Sequence, residues 1–373
     1  MKVVMIGADR SVKGGVSAVV NNLYQAGLNE RVALTYIGTM VDGGRAKKAC
    51  KAFFALLRFV LAMPGTDIVH VNMAADASCF RKMIFMQVAQ LFHKKIVIHE
   101  HGGDFQGFFY ERCDERMRRR IKRALNRAAL FLVLSDAWKD FFSELVDPAK
   151  IHVMQNAVPV PGKGKTDYSG HRAVFLGRLC KEKGIGELLL SVPLIRKRIP
   201  DFELVLGGFW ENGNEDLQKR AQELSDAVIC PGWVSAGERE RLFETCSIFV
   251  LPTWFEGQPV SLLEAMAAGM CVAASAVGGI PQIVADKKEA DVSILPEGWD
   301  GCGILMEAKN PEMLAEVMSR LLEEEALRRR LGERARARIL EHYDMEQYVE
   351  TLVGFYESVC SNSSGSAHFL RRP

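Results

Sequence analysis

The chain of 373 residues and 41.5 kDa is too long for one ordinary core and long enough for two α/β domains. Its 48% hydrophobic and 25% charged residues, with a mean hydropathy of +0.01, exclude a chain dominated by disorder, collagen-like repeats or coiled coil. No run of about 18 apolar residues is free of charge, so the sequence predicts no membrane-spanning helix.

Charge is balanced overall, at a formal +2, but it is unevenly distributed along the chain. The first 165 residues hold 25 Lys and Arg against 14 Asp and Glu, whereas the other 208 hold 23 against 32. This contrast indicates two domains with different partners, and a basic first half could face anionic lipid or nucleic acid. The alternative is that the uneven charge reflects the composition of the two domains alone and indicates no partner. Nine cysteines without a C-x-x-C pair predict reduced thiols, no zinc site and a cytoplasmic protein.

The first half alternates strand-like and helix-like segments, a rhythm typical of parallel βαβ units. The predicted strands are Lys2–Gly7, Val32–Ile37, Asp67–Val71, Lys95–His99 and Leu130–Leu134. The predicted helices are Val16–Leu28, Lys47–Met63, Phe80–Phe92 and the very basic Glu111–Arg127. A segment rich in Pro, Gly and Lys, Val158–Lys165, then predicts a linker.

The same rhythm restarts beyond the linker. The predicted strands are Ala173–Gly177, Phe202–Leu206, Val228–Cys230, Ile248–Leu251, Cys271–Ala274 and Gly303–Met306. The predicted helices are Ile185–Lys197, Glu215–Leu224, Ala236–Thr245, Pro259–Ala268, the long charged region Pro311–Tyr343, and Met345–Val359. Two doubly wound domains follow, and ligands in such folds bind at the carboxyl ends of the strands.

Two glutamates eight positions apart, Glu256 and Glu264, follow the predicted strand Ile248–Leu251. Gly257-Gln258-Pro259 opens a helix between them, and free backbone N–H groups at such an N-terminus favour a phosphate. Glu264, about two turns into the helix, is suited to accept hydrogen bonds from vicinal hydroxyls such as those of a ribose. Two surface glutamates flanking a helix start remain the alternative.

Two cations, Arg178 and Lys183, stand in LGRLCKEKGIGELL just after a predicted strand and before a helix. Cations at a helix start can clamp a diphosphate and stabilise charge on a leaving group. A solvated basic turn is the alternative for this motif.

Two weaker signals lie in the first half. Gly14 and Gly15 follow the first strand and would allow a ligand to approach the backbone closely. VIHEHGGDFQGFF places His101 and Asp104 after another strand, but H-E-H beside a glycine pair is not the helical H-E-x-x-H of a metalloprotease. We therefore expect no metal there.

The stretch EGQPVSLLEAMAAGMCVAASAVGGIPQIV is similar to the E-x7-E signature of retaining GT-B glycosyltransferases of family 4. LGRLCKEKGIGELL likewise resembles the GR…KG element of that family. The resemblance implies an α/β GT-B fold, in which two Rossmann-like doubly wound parallel-sheet domains face each other across a cleft. Residues 1–160 would form the acceptor-binding domain and 166–343 the donor-binding domain, with the helix at 345–360 packing back on the first.

The resemblance also implies roles for individual residues. Arg178, Lys183, Glu256 and the cleft histidine His101 would serve catalysis. The donor-binding set comprises Gly14, Gly15, Arg178, Lys183, Trp233, Val234, Glu256, Gly257, Gln258, Pro259, Val260 and Glu264. Asp104 and Arg81 are candidate acceptor contacts. One departure from the family is LGGFWENGNEDL, where a G-x-G turn is commoner, and no catalytic role is expected to depend on that loop.

The function implied is retaining transfer of a sugar from a nucleotide-diphosphate sugar, with UDP expected ahead of GDP, to a glycan or lipid-linked acceptor. The setting would be biosynthesis of a surface polysaccharide or glycolipid, such as a capsule or exopolysaccharide. No D-x-D triplet is present, so we expect metal-independent transfer without a cofactor. Two alternatives stay open: other sugar chemistry on the same fold, as in a phosphorylase or epimerase, and a non-catalytic nucleotide-sugar-binding protein.

The basic segment 111–127 predicts contact with an anionic membrane surface, because clustered Lys and Arg on a helix are attracted to anionic lipid. The expected location is cytoplasmic, with peripheral attachment to the inner face of the cell membrane. A solvated helix is the alternative. Nucleic-acid binding is not expected, because no basic motif interleaved with aromatic residues accompanies the segment.

Overall fold

The chain forms two compact units. The structure, a computed structural model, describes residues 1–160, 162, 166–285 and 301–361. The first unit takes Met1–Asn156 together with the C-terminal segment from Met345, and the second takes Ala157–Asp344. The predicted linker Val158–Lys165 lies partly outside the described residues, at positions 161 and 163–165. Within the described ranges no helix combines the length and the apolar character needed to cross a bilayer.

The first unit is built on a parallel sheet of six strands. They are β1 (Lys2–Gly7), β2 (Ala33–Gly38), β3 (Ile68–Met73), β4 (Lys95–Glu100), β5 (Leu130–Val133) and β6 (Ile151–Val153). Their spatial order is β2-β1-β3-β4-β5-β6, so the winding direction reverses between β1 and β3. Every residue of β3 is buried, as expected for a central strand that is covered on both faces.

Helices cover both faces of this sheet. They are α1 (Gly15–Gln25), α2 (Leu28–Arg31), α3 (Arg45–Ala62), α4 (Ala77–Leu91), α5 (Phe105–Gly107), α6 (Glu115–Leu125) and α7 (Asp136–Ser143). Short 3-10 turns at Met63–Gly65 and Pro148–Lys150 and a π-helical turn at Phe108–Arg112 complete the connections. The core beneath α3, α4 and α6 is rich in aromatic residues, and Phe59 and Phe85 meet edge-on at 5.1 Å.

The second unit repeats the plan with another six-stranded parallel sheet. Its strands are β7 (Arg172–Leu176), β8 (Glu203–Gly207), β9 (Val228–Gly232), β10 (Ile248–Leu251), β11 (Cys271–Ser275) and β12 (Ile304–Met306). The spatial order β9-β8-β7-β10-β11-β12 is that of a dinucleotide-binding fold, with the reversal between β7 and β10. Ligands of such sheets bind outside the carboxyl ends of the strands at that reversal.

The helices of the second unit and the last helix of the chain complete the fold. They are α8 (Ile185–Arg196), α9 (Glu215–Glu223), α10 (Ala236–Thr245), α11 (Val260–Ala268), α12 (Ile280–Ala285), α13 (Pro311–Glu323), α14 (Glu325–His342) and α15 (Met345–Ser361). The last of these, α15, belongs to the first unit. There Tyr356 shares a 2.8 Å hydrogen bond with His70, and Lys95 donates to the carbonyl oxygens of Val359 and Cys360 at 2.5 and 3.0 Å.

The basic helix is shorter than the predicted Glu111–Arg127. Glu111 and Arg112 belong to the preceding π-helical turn, and Cys113 is extended, with φ −105° and ψ 134°. Asp114 then caps α6 by accepting from the backbone N–H of Met117 at 2.7 Å. An N-cap residue has non-helical torsions, so α6 begins at Glu115.

Two other helix boundaries also differ from prediction. Pro259 has ψ 117° and caps α11 from outside, so that helix begins at Val260. The region predicted as one helix from Pro311 to Tyr343 is two, because Glu324 has non-helical torsions of −112° and 83° between α13 and α14. The predicted elements also omitted α2, α5, α7, α12 and β6, each of which spans eight residues or fewer.

Candidate functional site

The clearest cluster of charged groups lies in the second unit, at the carboxyl ends of β7 and β10. Arg178 follows β7, Lys183 closes a 3-10 turn at Lys181–Lys183, and Glu256 follows β10. Lys183 Nζ and Glu256 Oε1 form an ion pair, and their side chains are only 15% and 20% exposed. The structure thus brings two of the four predicted catalytic residues into direct contact at the reversal of the sheet.

The loop that carries Lys183 is fastened to the end of β10. Gly184 adopts φ +72°, and a Cβ there would lie 2.0 Å from the carbonyl oxygen of Pro252. The backbone N–H of Trp254 donates to the Glu182 carbonyl at 2.9 Å, and the Thr253 hydroxyl donates to the same oxygen at 3.2 Å. Only a glycine at 184 allows this close approach, so the backbone itself sets the position of Lys183.

The loop that carries Glu256 is fastened in the same way by the turn after β11. Gly278 adopts φ +56°, and a Cβ there would lie 1.7 Å from the carbonyl oxygen of Glu256. Next to it, the backbone N–H of Gly279 donates to the Gly257 carbonyl at 2.9 Å. The glycine pair of the GGIP turn therefore has a structural role, which is to hold Glu256 and Gly257 in place.

Arg178 is held by Glu211, a residue of the LGGFWENGNEDL loop. The guanidinium Nη1 lies 2.5 Å from Glu211 Oε1, and half of the Arg178 side chain is exposed. Burial alone would lower the pKa of Arg178, but Glu211 outweighs it and the net pKa is raised, with Glu256 adding to the shift. Arg178 therefore stays cationic near Glu256. We expected no catalytic role to depend on this loop, yet it positions one of the predicted cations.

Glu264 lies five residues into α11, just over one turn rather than the predicted two. Its carboxylate pairs with Arg239 of α10 at 2.9 Å, and only 14% of the side chain is exposed. Burial raises the pKa of Glu264 and Arg239 opposes that rise. Arg239 was not predicted from the sequence. Its local signal is its position one turn after Ser235, the residue that caps α10 in a capping box with Glu238.

The predicted sugar- and base-binding positions lie in two places of the second unit. Gly257, Gln258, Pro259 and Val260 are buried at the start of α11, where the backbone N–H groups of the first turn have no partner within the helix. Trp233, 48% exposed at the end of β9, lies 6.2 Å from the ring of Phe209, and Val234 beside it is partly buried. Phe209 was not predicted, although it stands in the same LGGFWENGNEDL loop.

In the first unit, the glycine loop after β1 is open. Gly14 caps α1 and Gly15 begins it, and no atom lies within 4 Å of the place where a Cβ would stand on either residue. The packing of the chain therefore does not require glycine at these positions. The loop follows β1, at the reversal of the first sheet.

His101, just after β4, belongs to a cluster of three neighbouring histidines. The rings of His99 and His101 lie 4.1 Å apart, and those of His70 and His99 lie 5.7 Å apart. His101 Nε2 lies 2.9 Å from Asn72 Oδ1, an oxygen that accepts only from a protonated nitrogen. Burial, helped by His70, lowers the pKa of His101 to about 3. His101 is therefore a neutral imidazole whose Nδ1 is free of a proton.

The two candidate acceptor residues have different environments. Asp104 pairs with Arg112 at 2.8 Å, so its carboxylate already has a cationic partner. Arg81 is partly buried, burial lowers its pKa, and its Nε has no hydrogen-bond partner in the described part of the unit. The adjacent Lys82 is fully buried and donates to the Thr39 hydroxyl at 2.6 Å. Burial, helped by Arg81, holds the pKa of Lys82 well below its usual value.

One group of possible metal ligands lies close to Arg178. The Sγ of Cys180 and carboxylate oxygens of Glu182 and Glu211 are within 4.8 Å of one another, and no other such group occurs in the described ranges. Arg178 already neutralises Glu211. Burial raises the pKa of the Cys180 thiol to about 11, which disfavours the thiolate that a metal would need.

Comparison with known proteins assigns both units. Residues 164–338 match the family model described as glycosyl transferases group 1, and residues 14–160 match the model described as glycosyltransferase family 4. The α-maltose-1-phosphate synthase of Mycobacterium tuberculosis is 27% identical over 241 residues, which cover 58% of this chain and 59% of that protein. The GDP-mannose:cellobiosyl-diphosphopolyprenol α-mannosyltransferase of Xanthomonas oryzae is 29% identical over 217 residues, covering 56% of each. The chain thus spans less than two thirds of the length of these curated relatives.

Solved structures match the whole fold. Sucrose-phosphate synthase from Thermosynechococcus elongatus superposes with a TM-score of 0.75 at 19% identity, covering 97% of this chain and 99% of that one. HepE of Anabaena in complex with UDP superposes with a TM-score of 0.72 at 15% identity, covering 96% and 100%. These matches confirm the predicted α/β fold of the GT-B type.

Proposed function

Because this chain belongs to the group 1 glycosyltransferases of the GT-B fold, we propose that it transfers a sugar from a nucleoside-diphosphate sugar with retention of configuration and without a metal. The acceptor would be a glycan or a lipid-linked sugar in the synthesis of a surface polysaccharide or glycolipid. One observation carries the proposal: the partly buried Lys183–Glu256 pair, with Arg178 nearby, stands at the carboxyl ends of β7 and β10.

In the proposed reaction Arg178, Lys183 and Glu256 stabilise the charges of the diphosphate and of the sugar. Arg178 and Lys183 bind the diphosphate, and the backbone N–H groups at the start of α11 add donors on the same side of the sheet. The bond between the anomeric carbon and the phosphate oxygen breaks while the acceptor oxygen bonds to that carbon on the same face. The acceptor proton passes to the departing phosphate oxygen. Glu256 would stabilise the positive charge that develops on the sugar.

Glu264, Phe209 and Trp233 would bind the nucleoside. A carboxylate held by Arg239 is suited to accept from two vicinal ribose hydroxyls, and Phe209 with Trp233 offers a partly exposed surface for a base. We propose UDP ahead of GDP, and the UDP and UDP-glucose complexes of the similar Anabaena protein support this choice. The mannosyltransferase relative, named for GDP-mannose, keeps GDP as the second candidate. No cofactor is proposed.

The first unit would bind the acceptor. His101 is neutral, so it would lie beside the sugar without adding charge. Gly14 and Gly15 leave room for the donor phosphates to approach the backbone. Asp104 and Arg81 remain proposed acceptor contacts. The Xanthomonas relative, named for a diphosphopolyprenol acceptor, supports a lipid-linked substrate.

We also propose a cytoplasmic protein attached to the inner face of the cell membrane by electrostatic attraction. The helix α6 carries exposed Arg116, Arg119, Arg120 and Arg123. On α3, the apolar side chains of Phe53, Phe54 and Leu61 are 65%, 64% and 73% exposed. Basic residues near an anionic leaflet contribute about 1 kcal/mol each, and exposed apolar residues add to binding by entering the interface.

A panel of UDP- and GDP-sugars tests the transferase directly. Thermal-shift binding identifies the donor, and product NMR on the same reaction reports the anomeric configuration of the transferred sugar. Arg178→Ala, Lys183→Ala and Glu256→Ala should each lower the transfer rate roughly tenfold to a thousandfold, on the scale of a lost electrostatic group. Lys181→Ala, which removes an exposed cation of the same turn, is the matched control.

The outcomes separate the alternatives. Conversion of the nucleotide-sugar without any acceptor would indicate an epimerase, and release of a sugar phosphate with inorganic phosphate would indicate a phosphorylase. Binding without turnover on any acceptor would indicate a non-catalytic binding protein. Unchanged activity in all three alanine variants would overturn the assignment of the site.

A further inference from the structure

A groove of about 460 Å³ runs between α4 and α6 in the first unit. Its floor includes the thioethers of Met83, Met86 and Met117, and Ile84 stands beside them with 52% of its surface exposed. Methionine adapts to irregular apolar shapes because its side chain is unbranched and flexible. The floor is therefore suited to a long hydrocarbon chain.

One wall of the groove is basic. Arg120, Arg123 and Arg127 contribute to it, and no acidic residue lines the groove. Arg120 and Arg123 form no ion pair with any described residue, while Arg127 donates to Gln90 at 2.5 Å. Residues three apart on a helix lie on the same face, so the two unpaired guanidinium groups stand together above the floor.

The basic wall and the apolar floor of the groove together favour one class of ligand. Arginine binds phosphate oxygens through paired N–H groups, whereas the thioether floor gains nothing from a free phosphate or a sugar. The surface outside the groove is also apolar, since Leu91 on α4 and Phe92 just after it are 78% and 39% exposed. A ligand that brings its own apolar surroundings, as a bilayer does, would cover all of these residues.

We infer that the groove between α4 and α6 binds an anionic phospholipid of a membrane, with an acyl chain on the methionine floor and the headgroup phosphate on Arg120 and Arg123. This goes beyond the proposed attachment of the chain, which requires only a basic helix near an anionic surface. A basic helix alone would use every arginine of α6 equally, whereas the groove singles out two of them.

The experiment compares matched pairs of arginines on α6. Binding of the full chain to vesicles of phosphatidylcholine with about 30% phosphatidylglycerol is measured by cosedimentation, without donor or acceptor. R120Q/R123Q should bind about 30-fold more weakly, since each basic residue at an anionic surface contributes roughly fivefold. R116Q/R119Q removes the same charge from the same helix outside the groove and should weaken binding several times less. Equal losses in the two pairs, or no binding by the unchanged chain, would overturn the inference.

A second comparison tests the apolar floor. Ile84→Ser should weaken vesicle binding, whereas Leu91→Ser, at a more exposed position of the same helix outside the groove, should have a smaller effect. The reverse ranking would overturn the inference. Circular dichroism and thermal unfolding of each variant verify that the fold is unchanged. The vesicle assay involves no sugar transfer, so a negative result in it would leave the proposed transferase activity unaffected. Absence of sugar transfer together with intact vesicle binding would contradict only the proposed transferase activity.

Discussion

The carbonyl oxygen of Glu256 occupies the space in which a side chain at Gly278 would have to stand. The distance from that oxygen to an ideal Cβ is 1.7 Å, and φ at Gly278 is +56°. A turn that carries no charged group therefore fixes the backbone position of Glu256. The stability of the second unit and the geometry of its candidate site are coupled at this contact.

Gly278→Ala should therefore lower both stability and activity. The added Cβ meets backbone, which cannot rotate away, and left-handed torsions disfavour a non-glycine residue. We expect a loss of at least about 2 kcal/mol in the free energy of unfolding, measured by urea denaturation. Gly237→Ala in α10, where nothing lies within 4 Å of the new Cβ, is the control and should change stability little. Similar effects in both variants would contradict the contact.

Arg239→Met should make nucleotide-sugar binding dependent on pH. Burial raises the pKa of Glu264 and Arg239 opposes that rise, so loss of the arginine should raise this pKa further. At a given pH more of the Glu264 population is then protonated, and a protonated carboxyl is a weaker acceptor for two ribose hydroxyls than a carboxylate. We expect weaker binding that recovers as the pH is raised. Isothermal titration calorimetry of Arg239→Met, with Arg241→Met as control, measures this; a flat profile would argue against a ribose role for Glu264.

Chelation should leave transfer intact. The diphosphate charge is proposed to be balanced by Arg178 and Lys183, so excess EDTA should change the initial rate by less than about twofold relative to Mg²⁺ or Mn²⁺. If chelation abolishes the rate and one divalent ion restores it, the proposed metal-independent mechanism is wrong. Cys180, Glu182 and Glu211 would then be the first ligands to substitute.

The three clustered histidines, His70, His99 and His101, should stay neutral across the physiological range. Burial lowers the pKa values of His70 and His101 to about 3 and holds that of His99 well below its usual value. Nitrogen-15 NMR of the imidazole rings should show neutral rings for all three between about pH 5 and 8. A protonated ring at pH 6 in the folded chain would contradict the enclosed geometry.

The same burial has a consequence for stability. The unfolded chain binds protons at these histidines below about pH 6.5, whereas the folded chain does not, so stability falls as the pH drops from about 6.5 toward 3. Each neutral histidine contributes up to about 1.4 kcal/mol per pH unit in that window. Urea denaturation of His70→Asn should show a shallower loss than the unchanged chain, and an identical slope would count against this account.

The two sheets could be predicted because their strands are short apolar runs separated by helices with a clear period. The first residue of a helix was predicted less well where a capping residue sets the start of the helix. Asp114 and Pro259 each end an extended segment, and the apolar pattern alone does not distinguish a cap from the first turn of a helix. The helical pattern also continues without a break across Glu324, so it did not predict that one helix ends and another begins there.

The charged residues Lys183 and Glu256 of the candidate site could be predicted from the sequence. The residues that position the other site residues could not. Lys183 and Glu256 stand in motifs of recognisable spacing, each next to a strand end. Glu211 and Arg239, which hold Arg178 and Glu264, come from other segments of the chain, and no local pattern links them to their partners. Asn72, which sets the tautomer of His101, is likewise separated from it in sequence and adjacent only across β3 and β4.

The return of α15 to the first unit has a consequence for biosynthesis. All of the second unit emerges from the ribosome before Tyr356 is available to bond His70, or Val359 to receive the Lys95 ammonium group. The second sheet is therefore able to fold during translation, while the first remains without α15 until that helix has also emerged. Nascent chains stalled before residue 345 should consequently be more sensitive to proteases in their first 156 residues than in the segment that follows.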